Sequence, residues 1–301
     1  MKNWTITRRK FLKTSALTAG ATALGTFPSF GKEMKKALRF GVVTDTHYAD
    51  REPQGKRYYR ESKTKLQECV GLMNEQNVDF LIHLGDFKDQ AKDPQEQQTI
   101  HYLQALEKVF AQFKGKRFHV LGNHDMDSIS KSQFQGNIKN SGIPKEKTYY
   151  SFDHKHWHFV VLDANFTSEG KAYDHGNYDW TDANIPQEQL DWLQKDLSKT
   201  KFPVIVFCHQ LLQEEGNYTV KNAAAVRAVL EASGKVQAVF QGHIHKEKHA
   251  EIQGIHYSTF LAVVDGEGKE NNSYAIVEPQ QEGIRITGYR KASHQVLERG
   301  K

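Results

Sequence analysis

Five times in this chain an apolar run of strand length stops abruptly on a cluster of polar side chains. "ALRFGVV" stops at Thr44-Asp45-Thr46-His47, and "DFLIHL" at Gly85-Asp86. "RFHVL" stops at Gly122-Asn123-His124-Asp125, "FPVIVFC" at His209, and "VQAVF" at Gln241-Gly242-His243-Ile244-His245. Short runs rich in Val, Ile and Phe predict strands buried on both faces. Helical stripes separate several of them: Leu66, Cys69, Val70 and Met73; Ile100, Leu103, Leu106, Val109, Phe110 and Phe113; Leu190, Leu193 and Leu197; Val226, Val229 and Leu230. Strand–helix alternation predicts an α/β fold with a largely parallel sheet and right-handed crossovers. Ligands of such sheets bind beyond the carboxyl ends of the strands. The polar ends therefore collect at one edge and make a site.

Two further stretches read as antiparallel hairpins. "TYYSFD" faces "HWHFVVLD", and "SYAIVEP" faces "GIRITGY" across "QQEG". They are expected to form a second sheet of the same domain. Pro186 is expected to open the helix "PQEQLDWL". His154, His156 and His158 alternate and so are expected to share one exposed strand face. His83 and His119 fall inside strands and read as core histidines, and Cys69 and Cys208 as inert core thiols. With only two cysteines, a disulfide scaffold and a thiolate metal cage are both excluded.

The candidate donors are Asp45, His47, Asp86, Asn123, His209, His243 and His245. Carboxylate, amide oxygen and imidazole together suit Mn, Fe or Zn. Seven donors exceed one tetrahedral ion and suit two ions sharing a carboxylate, the arrangement that clamps a phosphoryl group. On an extended backbone, Asp-x-His and His-x-His place both donors on one side. Gly85, Gly122 and Gly242 precede donors, where the chain must turn and leave room for ion and phosphate.

The ordered set "DTH" (45–47), "GDFKD" (85–89), "GNHD" (122–125), His209 and "GHIH" (242–245) resembles the signature of calcineurin-like metallophosphoesterases. The resemblance implies a sandwich of two β-sheets flanked by helices, with ligands at the carboxyl ends of the strands. It implies that Asp45, His47 and His245 hold one ion, Asp86 bridges, and Asn123, His209 and His243 hold the other. His124 is then the general acid, Asp89 orients it, and a metal-bound hydroxide is the nucleophile. Protein phosphatases of this superfamily carry Arg after the residue matching Asp89. Here it is Gln90, which counts against a phosphoprotein substrate. "VVTDTHYADREPQGKRYYRES" further resembles the manganese-dependent ADP-ribose/CDP-alcohol diphosphatase group, in which similar Ala-Asp and Arg-Tyr-Tyr-Arg stretches follow the first ligand pair.

The N-terminus reads as a separate piece. Arg8-Arg9 followed by Phe11-Leu12-Lys13 resembles the twin-arginine export signal, and the weakly apolar stretch after it is too short and too rich in Gly and Thr to span a bilayer comfortably. The expected division is a signal over 1–31, cleaved between Ala23 and Lys32, a phosphoesterase domain over 37–290, and a tail over 291–301. The expected destination is the periplasm or the exterior, reached through the twin-arginine machinery and without a stable membrane anchor. Residues 1–31 carry five basic residues and no acid, which accounts for the whole formal charge of +5. The remainder has no electrostatic case for nucleic acid as a partner.

The expected activity is a dinuclear metal-dependent phosphohydrolase acting on a small phosphorylated substrate, preferentially a nucleotide-linked diphosphate. The alternatives are a phosphomonoesterase, a cyclic phosphodiesterase, or a non-catalytic binding module on this fold. Arg51, Arg57, Tyr58, Tyr59 and Arg60 are candidates to grip a second phosphate and stack a base, or else form a solvated basic loop. Tyr173, Tyr178 and Trp180 either wall the cleft or pack on the domain.

Overall fold

The computed structural model describes residues 37–280 and 282–299, so the export signal expected over 1–31 lies outside the described residues. In chain order the elements are β1 (Phe40–Val43), α1 (Ser62–Glu75), β2 (Phe80–His83), α2 (Glu96–Phe110), β3 (Lys116–His119), α3 (Lys131–Asn137), β4 (Tyr150–His154) and β5 (Trp157–Val161). They continue with α4 (Gln187–Lys199), β6 (Val204–Phe207), α5 (Ala223–Ser233), β7 (Val236–Gln241), β8 (Lys248–Ile252), β9 (Ile255–Thr259), β10 (Ser273–Pro279), β11 (Gly283–Arg290) and β12 (Gln295–Glu298).

Two six-stranded sheets result, in the orders β12-β11-β10-β1-β2-β3 and β4-β5-β6-β7-β9-β8. In the first, β1, β2 and β3 are parallel; in the second, β5, β6, β7 and β9 are. Both expected hairpins form, but they do not make a sheet of their own. β4-β5 extends one sheet and β10-β11 the other. The five runs that carry donors are thus divided between two mixed sheets, as the family resemblance implied and the single-sheet expectation did not. The segment expected to be a tail contributes β12, which pairs with β11. Helix α3 is too short for a clear stripe; it is set by Ser130, whose hydroxyl accepts from Gln133 N–H at 3.1 Å while Gln133 Oε1 accepts from Ser130 N–H at 2.8 Å.

Alternation along the strands builds the layers. Phe40, Val42, Phe80, Ile82, Phe159, Phe207 and Phe240 point between the sheets, where the Phe40 and Phe80 rings stack at 4.7 Å. Val43 and Leu81 point outward onto Leu66, Met73, Leu103 and Phe110 of α1 and α2. Val204, Val206 and Cys208 point outward onto Leu193, Leu197, Val226 and Leu230 of α4 and α5. Cys69 and Cys208 are buried free thiols, and burial pushes the Cys208 thiol up to about 12. Among the described residues no helix is long and apolar enough to cross a membrane.

The three alternating histidines do not share a strand face. Lys155 and His156 form the β4-β5 turn with positive φ (47° and 64°), so His154 and His158 sit on opposite arms of the hairpin. His158 is buried, not exposed. Its Nδ1 lies 2.6 Å from Asp153 and its Nε2 2.8 Å from Asp196.

Candidate metal centre

The ends of β1, β2, β3, β6 and β7 bring all seven predicted donors to one rim of the sandwich, and both sheets contribute. Two groups of three each hold their donor atoms within 4.8 Å of one another: Asp45, His47 and His245, and Asp86, His209 and His243. Asp86 Oδ2 stands between them, 3.4 Å from His47 Nε2 and 3.2 Å from His209 Nε2. That is the position of a shared carboxylate.

The local backbone that achieves this is not the extended one expected from Asp-x-His and His-x-His. Asp45, His47, Asp86, His243 and His245 have φ of 52°, 43°, 52°, 75° and 55°. Each left-handed non-glycine residue costs on the order of 1–3 kcal/mol and persists only where its surroundings dictate it. Here Asp45 N–H donates to Gly85 O at 3.1 Å and His47 N–H to Asp86 O at 2.9 Å. Repeated left-handed residues curl the chain, so the side chains converge by curvature rather than by pleat. The glycines serve this crowding too. A Cβ on Gly122 would lie 2.1 Å from Asp86 N, so the space it leaves is filled by the neighbouring donor loop, not kept for ion and phosphate.

The chemistry of the donor set fits cations. Asp45 and Asp86 are buried, and their ion-pair partners among the described residues are histidines, never Lys or Arg. Burial alone raises the carboxyl of Asp86, but His209, His47 and His124 outweigh it and hold it well below the usual carboxylate range. Burial likewise disfavours charge on His209, yet Asp86 and Asp45 push it up to about 9; burial and His209 lower His243 to about 3. Buried carboxylates ion-paired only with imidazoles make a donor set whose negative charge a cation can complete. Three buried donors, Asn123 Oδ1, His209 Nε2 and His243 Nε2, have no hydrogen-bond partner. His47 and His245 point Nε2 at each other across 3.0 Å, while their Nδ1 atoms face Asp89 at 3.4 Å and Asp265 at 3.0 Å. Imidazoles whose N–H faces a carboxylate aim lone pairs into the centre.

His124 stands at the mouth, its side chain 29% exposed. Its ring lies 4.7 Å from that of His47, and its Nδ1 lies 3.6 Å from both Asp89 Oδ2 and Asp127 Oδ2. Its backbone N–H donates to Asp86 Oδ1 at 2.8 Å, and buried Lys88 donates to its carbonyl at 2.6 Å. Burial lowers its affinity for a proton, but Asp89 and Asp86 raise it well above the ordinary histidine value.

The candidate substrate residues divide. Arg51 and Arg57 reach to 3.7 Å from Asp89, and Tyr58 lines a cavity of about 490 Å³ with His245 and Asp265. Tyr59 is buried beneath the Arg51 guanidinium, 4.5 Å from its ring centroid, and Arg60 is drawn onto the surface acids Asp50 and Glu52. Neither is placed to grip a ligand. Tyr178 stacks on Tyr173 at 3.9 Å and donates its hydroxyl to the Asn123 carbonyl; it props a donor loop instead of walling a cleft. Asp265 and Asp127 belong to no sequence motif and are found only by their contacts with His245 and His124. Asp125 closes the Gly-Asn-His-Asp motif. That carboxylate accepts from Phe87 N–H at 2.9 Å and Gly122 N–H at 2.8 Å, tying two donor loops together. A cavity of about 620 Å³, lined by Trp157, Phe202 and Leu297, lies at the opposite ends of the strands.

A model of the calcineurin-like phosphoesterase family matches residues 38–247. The chain is 26% identical over 273 residues to a manganese-dependent ADP-ribose/CDP-alcohol diphosphatase of Arabidopsis thaliana, covering 75% of this chain and 86% of that protein. It is 23% identical over 227 residues to a probable cyclic nucleotide phosphodiesterase of Fibrobacter succinogenes, covering 73% and 77%. In fold it is similar to a dimetal phosphatase from Danio rerio, with a TM-score of 0.73 at 19% identity over 88% of this chain and 99% of that one. The matched family, the sandwich and the paired donor groups agree: this chain belongs to the calcineurin-like phosphoesterase family, as a metal-dependent hydrolase with a dinuclear centre.

Proposed function

We propose that this hydrolase cleaves a phosphoanhydride in a small nucleotide-linked diphosphate of the ADP-ribose or CDP-alcohol type. The observation that carries the reading is Asp86 Oδ2 set between two imidazole-rich donor groups, with His124 at the mouth beside them. Asp45, His47 and His245 would hold one ion, and Asn123, His209 and His243 the other, with Asp86 common to both. When bound, such a pair supplies Lewis acidity toward the phosphoryl group and toward water. His124, flanked by Asp89 and Asp127, holds a proton at the mouth for the departing oxygen. Arg51 and Arg57 bring positive charge beside the centre, which favours a substrate with a second phosphate over a monoester. The Arabidopsis relative supports the same choice.

A cyclic phosphodiester is the second reading, favoured by the relatives named as cyclic nucleotide phosphodiesterases at 22–23% identity. A panel of ADP-ribose, CDP-choline, 3′,5′-cyclic AMP and an aryl phosphate, each with Mn, Fe, Zn and Mg, separates the two. Turnover of the cyclic nucleotide alone overturns the preferred reading. His124→Ala is expected to lose at least about 100-fold in turnover with its metal content unchanged; unimpaired turnover removes the acid role. Twin-arginine export is part of the proposal and rests on Arg8-Arg9 with Phe11-Leu12-Lys13. Substituting Lys for both arginines is expected to retain the protein in the cytoplasm.

A further inference from the structure

We propose that Trp180 and Tyr218 form a stacking subsite for the base of the substrate, which rests on the nucleotide-linked reading above and names the part of the chain that recognises the nucleoside. Among the described residues, the large hydrophobic side chains left most exposed are Trp180 (40%), Tyr218 (47%) and Val296. Two of these three stand together at the metal centre. The Trp180 and Tyr218 ring centroids are 5.2 Å apart, and they lie 6.0 Å and 5.6 Å from the ring of His243. Their planes are tilted by 40°, so they form an open aromatic wall and not a closed pair.

Both rings are held by backbone tied to the second donor group. Trp180 follows Tyr178, whose hydroxyl donates to the Asn123 carbonyl, and Tyr173 donates its hydroxyl to Asp179 O at 3.2 Å. Asp179 in turn accepts from Thr181 N–H at 2.9 Å. Tyr218 O accepts from Leu211 N–H at 3.1 Å, two residues beyond His209. A pre-positioned aromatic wall loses little freedom when a flat ring settles on it. Stacking tolerates every base, since each has a π-face. The other flank is richer in charge: beside His245 the cavity is lined by Tyr58 together with Lys56, Lys246, Asp265 and Glu267, groups that can meet the charged remainder of the substrate. One ribose separates base from 5′-phosphate, which matches a wall one ring's breadth from His243.

The test measures AMP and ribose 5-phosphate binding by calorimetry on the metal-loaded full chain, in wild type, Trp180→Ala, Tyr218→Ala and Trp180→Phe. The expected result is AMP binding weakened about tenfold or more in each alanine variant, restored in Trp180→Phe, with ribose 5-phosphate changed less than about twofold throughout. Equal loss for both ligands, or AMP unchanged in both alanine variants, overturns the subsite. Kinetics on ADP-ribose separate this from the function itself. If AMP binding follows the expected pattern but no nucleotide-linked substrate is cleaved, the proposed function fails and the subsite stands. If ADP-ribose is cleaved with KM unchanged in both alanine variants, the function stands and the subsite fails.

Discussion

The two donor groups use the same residue types and are supported in different ways. In Asp45–His47–His245, both imidazoles turn their second nitrogen to a carboxylate, Asp89 or Asp265. In Asp86–His209–His243, His209 instead donates Nδ1–H to the Leu84 carbonyl at 2.8 Å. The His245 side chain is 13% exposed, whereas that of His209 is fully buried. A carboxylate behind an imidazole makes it a more basic ligand, while burial fixes geometry by packing. The first group is therefore tuned by charge at its edge, and the second by the tightness of the loops around it.

This contrast can be broken outright at the residue the groups share. Asp86→Asn is expected to lower the affinity for both ions and to reduce turnover more than about 100-fold, beyond the usual effect of an outer partner. Metal analysis that found one ion retained at full affinity would mean the groups are independent. Asp265→Asn should weaken one ion by about 10- to 100-fold and leave the other in place, as read by competitive chelator titration. Equal weakening of both would erase the distinction between charge-tuned and packing-tuned groups.

Gly122→Ala probes the packed group. Its Cβ meets Asp86 N, and the displacement is expected to destabilise the protein by about 1–3 kcal/mol in urea unfolding. Affinity should fall at the second ion more than at the first. The smallest effect lies far from both groups, at His158. Burial there disfavours the imidazolium, but hydrogen bonds to Asp196 and Asp153 more than reverse this and raise its pKa above 6.5. A raised histidine stabilises the fold fully below its unfolded pKa and ceases to do so as pH rises through the folded value. The wild type should thus exceed Asp196→Asn in stability by at most about 1 kcal/mol near pH 5, with the gap closing in alkaline solution. A gap that widened with pH would show that this pair does not hold the proton.

The residues that meet at the rim were legible in the sequence as the polar ends of apolar runs, because a buried strand that ends on His or Asp has few reasons to do so other than a site. What sequence reading missed follows a pattern. The alternation of His154, His156 and His158 suggested a strand face because a turn at Lys155-His156 lacks the Asn-Gly pair that usually marks one. β12 is only four residues long, too short for a period to declare itself. Tyr59 and Arg60 sit in a stretch where every residue looks able to bind a phosphate, and only burial and pairing sort them.

From the sequence alone came the residue types at each strand end, the α/β alternation and the charge that resides in the first 31 residues. Those are local properties of hydrophobic pattern and composition. The tertiary structure alone decided which strands each sheet takes, that left-handed backbone aims the donors, and that Asp265 stands behind His245. Each of these depends on segments far apart in the chain meeting at one rim, and no local pattern records which distant residue fills the space beside a given one.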